Sequence, residues 1–218
     1  MANLPIKLVK NLYYKKELST IEIAKRLKVT PWIVQKFMIK NNLPRRTFEE
    51  ANAIVFKRKK TTFLIKQKLS SREKELKIAG IMLYWTEGAK FNPLTRATVV
   101  DFVNSNPQMI RLFLTFLRKI CGIDEKRLRV LLYCYVNQDI EFLKKYWYKV
   151  TEIPLKQFTK PYIRRDFLLE KIGKMKYGLV HIRYCDKKLL IRIEDWIDKY
   201  LNKNNIRVGT QVVNEVCL

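Results

Sequence analysis

The chain has 218 residues and a mass of 26.2 kDa, enough for one sizeable domain and a smaller companion. Its 45 Lys and Arg against 20 Asp and Glu give a formal net charge of +25, which points to a polyanionic partner. A hydrophobic share of 48% excludes a disordered basic tail, and no apolar run reaches the roughly 20 residues that span a bilayer.

No continuous apolar segment follows Lys7 and Lys10, so a signal peptide is not expected. The charge is uneven. Residues 1–70 carry 13 Lys and 4 Arg against 4 Glu, a net of +13, which is about half of the excess in a third of the chain.

Three helices are expected first. Ile6, Val9 and Leu12 mark a helix face, and Leu18 closes the turn that follows. Ser19 with Glu22 forms a capping box that opens a second helix, with Ile23, Ala24 and Leu27 facing inward. After a tight turn at Lys28-Val29, Thr30 caps a third helix that begins at Pro31, where the missing N–H has no intrahelical partner. Ile33, Val34 and Phe37 face its core side, which leaves Trp32, Gln35, Lys36 and Lys40 outward to about Asn41.

A short helix, a tight turn and a second helix with a polar outer face suit a reader of the DNA major groove. Gln35 pairs with adenine in such a geometry, Lys36 and Lys40 with guanine or phosphate, and Trp32 covers a thymine methyl. The stretch Leu18 to Thr30 resembles the helix-turn-helix of resolvases and many small regulators. Lys28 stands where these motifs often carry Gly, so it has to adopt a left-handed conformation at a cost of about 1–2 kcal/mol.

Arg45 and Arg46 end this segment (1–46) as candidate phosphate contacts. A basic helical linker, 47–69, follows; Thr47 with Glu50 caps a helix from Phe48 to about Phe56, and Lys57-Arg58-Lys59-Lys60 forms a basic run.

A third capping box, Ser70 with Glu73, opens a long helix to Glu87 that is apolar nearly all round and so must be covered on several sides. Glu87 lies at the C-terminal end, where the helix dipole disfavours negative charge, and needs a compensating cation.

A short strand is expected over Phe91–Thr95, another over Ala97–Asn104, and a helix from Asn106-Pro107 to about Cys121. Alternation from Arg127 to Val136 sends Leu128, Val130, Leu132, Cys134 and Val136 one way and Arg127, Arg129, Tyr133 and Tyr135 the other. Asp139 caps a helix to Val150, and a looser stretch holds Pro154, Phe158 and Pro161. From Lys176 to Cys185, Val180 and Ile182 point inward and Tyr177, His181 and Arg183 outward; a helix from Lys187 to Leu201 and a polar tail, 202–218, complete the chain.

The expected fold is α+β: a three-helix unit and a domain (70–201) of antiparallel sheet with helices on one face. The other face carries basic and aromatic side chains suited to nucleic acid. The four cysteines contain no C-x-x-C pair, and His181 with Cys185 lacks the second close pair that a zinc site requires. They are read as small buried hydrophobes of a reducing, cytoplasmic interior.

The segment Gly80-Ile81-Met82-Leu83-Tyr84-Trp85-Thr86-Glu87-Gly88, with Val103 to Pro107 and then Trp147, Pro154 and Phe158, resembles one repeat of the LAGLIDADG homing endonucleases over about residues 70–200. The resemblance implies a site-specific, Mg²⁺-dependent endonuclease of double-stranded DNA. Glu87 would be the metal ligand and catalytic acid residue, the Thr86 carbonyl a second ligand, and Lys90, Lys160 and Lys176 candidates for the basic residue at the scissile phosphate. A single repeat implies a homodimer through the helix 71–87 and a roughly palindromic target. The alternative is a non-cleaving helix-turn-helix transcriptional regulator with a degenerate domain of this type.

Overall fold

The structure, a computed structural model, describes residues 4–90, 98–164 and 175–206. It is α+β, in two compact units, Met1–Lys60 and Thr61–Leu218. No helix among the described residues is long and apolar enough to cross a membrane.

In the first unit α1 (Ile6–Lys10) runs into a π-helical turn, Asn11–Lys15. Val9 and Leu12 are buried as expected, together with Tyr13, but Ile6 is 40% exposed. At about 100° per residue, position i+6 lies a third of a turn from i, so Ile6 and Leu12 cannot share one face. The capping box of α2 (Thr20–Leu27) forms: Ser19 Oγ accepts from the Glu22 amide at 3.2 Å, and the Glu22 carboxylate accepts from the Ser19 amide at 2.7 Å. Hydrogen bonding from the Ser19 amide, and then from its hydroxyl, holds the Glu22 carboxyl below the usual carboxylate range. Lys28 is left-handed at φ 55°, so the turn is made without glycine. In α3 (Pro31–Lys40) Val34 and Met38 enter the core while Ile33 and Phe37 flank it; Thr30 holds the cap position without a side-chain capping bond.

The helix α4 (Phe48–Arg58) belongs to this unit, because Arg58 pairs with Glu22 at 3.3 Å and donates to the Lys16 carbonyl at 2.8 Å. The linker expected over 47–69 is therefore divided at Lys60. Residues 61–69 belong to the second unit. There the Leu64 amide donates to the Gly122 carbonyl at 2.9 Å, and Thr62 Oγ1 donates to Asp186 at 2.7 Å.

The second unit is built on a four-stranded sheet. Its strands are β1 (Val100–Asn104), β2 (Leu128–Tyr135), β3 (Tyr162–Arg164) and β4 (Leu179–Tyr184), in the order β1-β4-β2-β3. The expectation of an antiparallel sheet is corrected at its edge: β4 is antiparallel to both β1 and β2, but β3 pairs with β2 in parallel. Between β2 and β3 lies α7 (Ile140–Thr151), and a helical crossover returns the chain to the same end of the sheet. The three-residue β3 is too short to show any alternation, and its sequence reads as loop.

Period-two alternation puts Val100, Phe102, Leu128, Val130, Val180 and Ile182 on the face that α5 (Ser71–Glu87), α6 (Pro107–Phe116), α7 and α8 (Lys187–Lys203) cover. Phe102 stacks on Phe113 of α6 with centroids 4.2 Å apart. Cys121 and Cys134 are buried here, and burial pushes both thiols up from the usual cysteine range. Cys185 and Val136 are exposed, against expectation, since each lies one residue past its strand, where alternation no longer governs. The strand expected over Phe91–Thr95 and most of the polar tail lie outside the described residues.

Among the described residues the long helix α5 packs against α6, α8 and β1 but is not covered all round. Gly80, Ile81 and Tyr84 are buried, whereas Ile78 is 42% and Trp85 38% exposed. Gly80 permits the close approach to α6: a Cβ there would lie 2.2 Å from Cγ of the buried Phe116 ring. Gly80→Ala gains about 1 kcal/mol of helix propensity but overpacks a ring that has no room to move, at about 1–3 kcal/mol. Net destabilisation by about 1–2 kcal/mol is expected in urea denaturation.

Candidate nucleic-acid interface

Two surfaces, one in each unit, carry the residues expected to meet nucleic acid. In the first unit, Trp32, Lys36 and Lys40 recur every four residues on α3 and line its outer side. Trp32 is 63% exposed, and the Lys36 ammonium lies 4.6 Å from the centre of its indole ring. That cation–π contact keeps an apolar plate and a positive charge together at the surface. Gln35 is half-buried beside them and Arg45 is exposed.

Arg46 is not a surface cation and is removed from the phosphate contacts. Its Nη1 donates to the Glu17 carbonyl at 3.1 Å, and its Nη2 donates to the carbonyls of Leu18, at 2.9 Å, and Tyr13. Its guanidinium also lies 4.0 Å from the centre of the Tyr13 ring. The π-turn and the loop after it leave these carbonyls without helical partners, and the five-donor fork of an arginine reaches all three. Sequence reasoning placed Arg46 beside Arg45 as part of a basic pair; only the folded chain separates their roles.

In the second unit the sheet face turned away from the helices carries three rows. Asp101 of β1, Arg183 of β4 and Arg129 of β2 are register partners across the sheet, and the next row holds Val103, His181 and Leu131. Beyond them Tyr133 pairs with Leu179 of β4 and with Tyr162 of β3. The Tyr133 and Tyr162 rings stack at 4.3 Å, and the His181 ring packs 5.3 Å from Tyr133. This is a strip of flat rings beside a strip of charge.

Asp101 Oδ2 accepts from Arg183 Nε at 2.7 Å, and Oδ1 lies 3.0 Å from His181 Nδ1. Asp101 escaped the sequence reading, although alternation with Val100 and Phe102 turns it outward. Tyr162 and Arg164 escaped it too, because β3 was not foreseen.

Two expected members of this face lie elsewhere. Arg127 lies in the 3₁₀ turn Glu125–Arg127 ahead of β2, where its Nη2 donates to the Cys185 carbonyl at 2.9 Å and its guanidinium lies over the Tyr184 ring. Tyr135 is only 7% exposed, with the Arg164 guanidinium 5.8 Å from its ring centre and its amide donating to Gln138 at 2.9 Å. Arg129 is exposed, and its Nη1 donates to the Lys126 and Leu128 carbonyls at 2.7 Å.

Glu87 is the last residue of α5 and is exposed. The Thr86 hydroxyl donates back to the Met82 and Leu83 carbonyls at 3.2 and 3.0 Å, so its proton is held within the helix. Gly88 bridges to Phe102 and the Ala89 amide donates to the Asp101 carbonyl at 2.8 Å, which ties this helix end to β1. Lys90, Lys160 and Lys176 are all exposed, and Lys176 lies 5.3 Å from the Tyr177 ring centre. Only Lys90 is held near Glu87 by the chain itself. No group of three or more His, Cys, Asp and Glu side chains suited to a metal occurs among the described residues.

Comparison with protein-family models, curated proteins and solved structures finds no match to this chain.

Arg46→Ala leaves three carbonyls without their donor and should destabilise the first unit by about 2–3 kcal/mol in urea denaturation. Arg45→Ala, at an exposed position, should stay within about 0.5 kcal/mol of the parent.

Proposed function

We propose that the chain is a sequence-specific double-stranded DNA-binding protein that acts as a homodimer and cleaves its site with Mg²⁺ in the manner of the homing endonucleases it resembles. The observation that carries this reading is α5: Ile78, Met82 and Trp85 form an incompletely covered apolar stripe on the helix that ends in the exposed Glu87. Leu112 of α6 is 38% exposed, beside a groove of about 660 Å³ in which Leu76, Ala79 and Leu112 alternate with the charged Arg72, Glu73, Glu75 and Lys119. A second copy seated there by two-fold symmetry buries the stripe twice over and brings two Glu87 carboxylates toward one axis.

The donors at that axis are a carboxylate and the Thr86 carbonyl from each copy, all hard oxygens, which fits Mg²⁺. When bound, the cation supplies charge stabilisation for phosphodiester hydrolysis. Glu87 and the Thr86 carbonyl would hold it, and Lys90, three residues on, would offset charge at the scissile phosphate. The outer rows of the sheet and the outer side of α3 read the duplex around the cut.

Duplexes selected from a random library should be cleaved on addition of Mg²⁺. Glu87→Gln should lower cleavage by roughly 100-fold or more while binding changes less than about threefold. A parent protein that binds the selected duplex and never nicks it, with Mg²⁺ or Mn²⁺, overturns cleavage.

That outcome would favour a non-cleaving transcriptional regulator, a reading that draws on the first unit's own core and exposed Trp32 and Lys36, which owe nothing to Glu87. Ile78→Glu, at the exposed part of the stripe, should convert a dimer to a monomer in sedimentation equilibrium while leaving the circular dichroism spectrum unchanged.

A further inference from the structure

Asp101 makes the sheet face turned away from the helices more than a basic patch. Its carboxylate lies between two side chains of β4, with Oδ2 accepting from Arg183 Nε at 2.7 Å and Oδ1 3.0 Å from His181 Nδ1. An ionised carboxylate only accepts, so Nδ1 carries a proton and the imidazole holds the carboxylate in one plane. The side chains of Asp101 and His181 are each 15% exposed, and that of Arg183 is 37% exposed. The buried edge of the guanidinium is thus anchored through Nε. Its Nη1 and Nη2 make no hydrogen bond with any described residue.

The geometry points to Arg183 as the reader of one guanine, with Asp101 as the residue that positions it. This deepens the reading of the sheet face as a duplex-DNA surface and rests on it. Two parallel N–H donors on an immobilised fork match the paired acceptors O6 and N7 that guanine alone shows in the major groove.

A phosphate is the other ligand with paired acceptors, and charge decides against it. Asp101 cancels the net charge of Arg183 and repels an approaching phosphate, whereas a neutral base edge meets only the directed donors. Arg129, the register partner of Arg183 on β2, forms no ion pair with a carboxylate among the described residues; its Nη1 is held by main-chain carbonyls, which leave its charge in place. Of this neighbouring pair, Arg129 suits the backbone and Arg183 suits a base.

The test uses the full chain and duplexes selected from a random library. Affinity is measured for all four base pairs at each position, in the parent, Arg183→Ala, Arg183→Lys and Asp101→Asn. The parent should prefer G·C roughly tenfold or more at one position of each half-site. Arg183→Ala should abolish that preference there and nowhere else. Arg183→Lys, which keeps the charge and loses the fork, should do the same. Asp101→Asn should weaken the preference several-fold at the same position with the salt dependence unchanged; where it fails to fold, Asp101→Glu serves, and loss of the same single preference is again expected. Replacing that guanine by 7-deazaguanine should weaken the parent and leave Arg183→Ala unaffected.

Uniform weakening of all duplexes by Arg183→Ala, with the salt slope reduced by about one, would identify a phosphate contact and overturn the proposal. So would unchanged preferences in Arg183→Ala and Arg183→Lys. If no duplex is enriched at all, the proposal falls together with the DNA reading beneath it, an outcome distinct from enriched duplexes that ignore Arg183.

Discussion

Strand β4 is hydrogen-bonded on both sides, to β1 through residues 180–184 and to β2 through residues 179–184. Because successive side chains of a strand must point to opposite faces, the same six residues send Val180, Ile182 and Tyr184 into the helices and His181 and Arg183 outward. A slip of one residue would exchange the two sets, placing a guanidinium and an imidazole in a core that holds Phe102, Phe113 and Trp147. The hydrophobic layer therefore dictates where the polar strip lies. The register of the outward face is set together with that of the core because it is the other side of the same ladder.

The charge of the chain is organised by small counter-moves. Arg46 and Arg127 are directed at main-chain carbonyls, and Arg183 is held by a carboxylate. Lys36 lies over Trp32. A net charge of +25 therefore describes overall affinity for a polyanion, while individual cations have separate tasks. Close packing has a similar economy: Gly80 faces Phe116 within the chain, so the small residue of α5 serves the α5–α6 contact, and larger side chains, Ile78, Met82 and Trp85, form the opposite side.

Much of this was legible in the residues. The three capping boxes at Ser19, Thr47 and Ser70, the proline starts of α3 and α6, and the alternation of β2 and β4 are local signals, since each depends on partners within four residues or on a period of two. The faces of α2 and α3 and the outward placing of Arg129, Tyr133, His181 and Arg183 followed from the same periods. What escaped has a common cause. β3 is stabilised by pairing with β2 about 29 residues earlier in the chain, Arg46 by carbonyls some 30 residues away, and Asp101 by partners 80 and 82 residues on. Such distances leave no trace in a short window.

The sequence alone therefore determined the main helices and the strands β1, β2 and β4, most of their apolar faces, and that a strongly basic α+β chain ends its longest apolar helix in an acid, because these follow from side-chain chemistry read at the helical and strand periods. Tertiary structure decided which cations remain outward, which carboxylate holds an arginine, and which flank of that helix is left uncovered. Those outcomes depend on close approach between residues far apart in the chain, and only the packed core brings them within hydrogen-bonding distance.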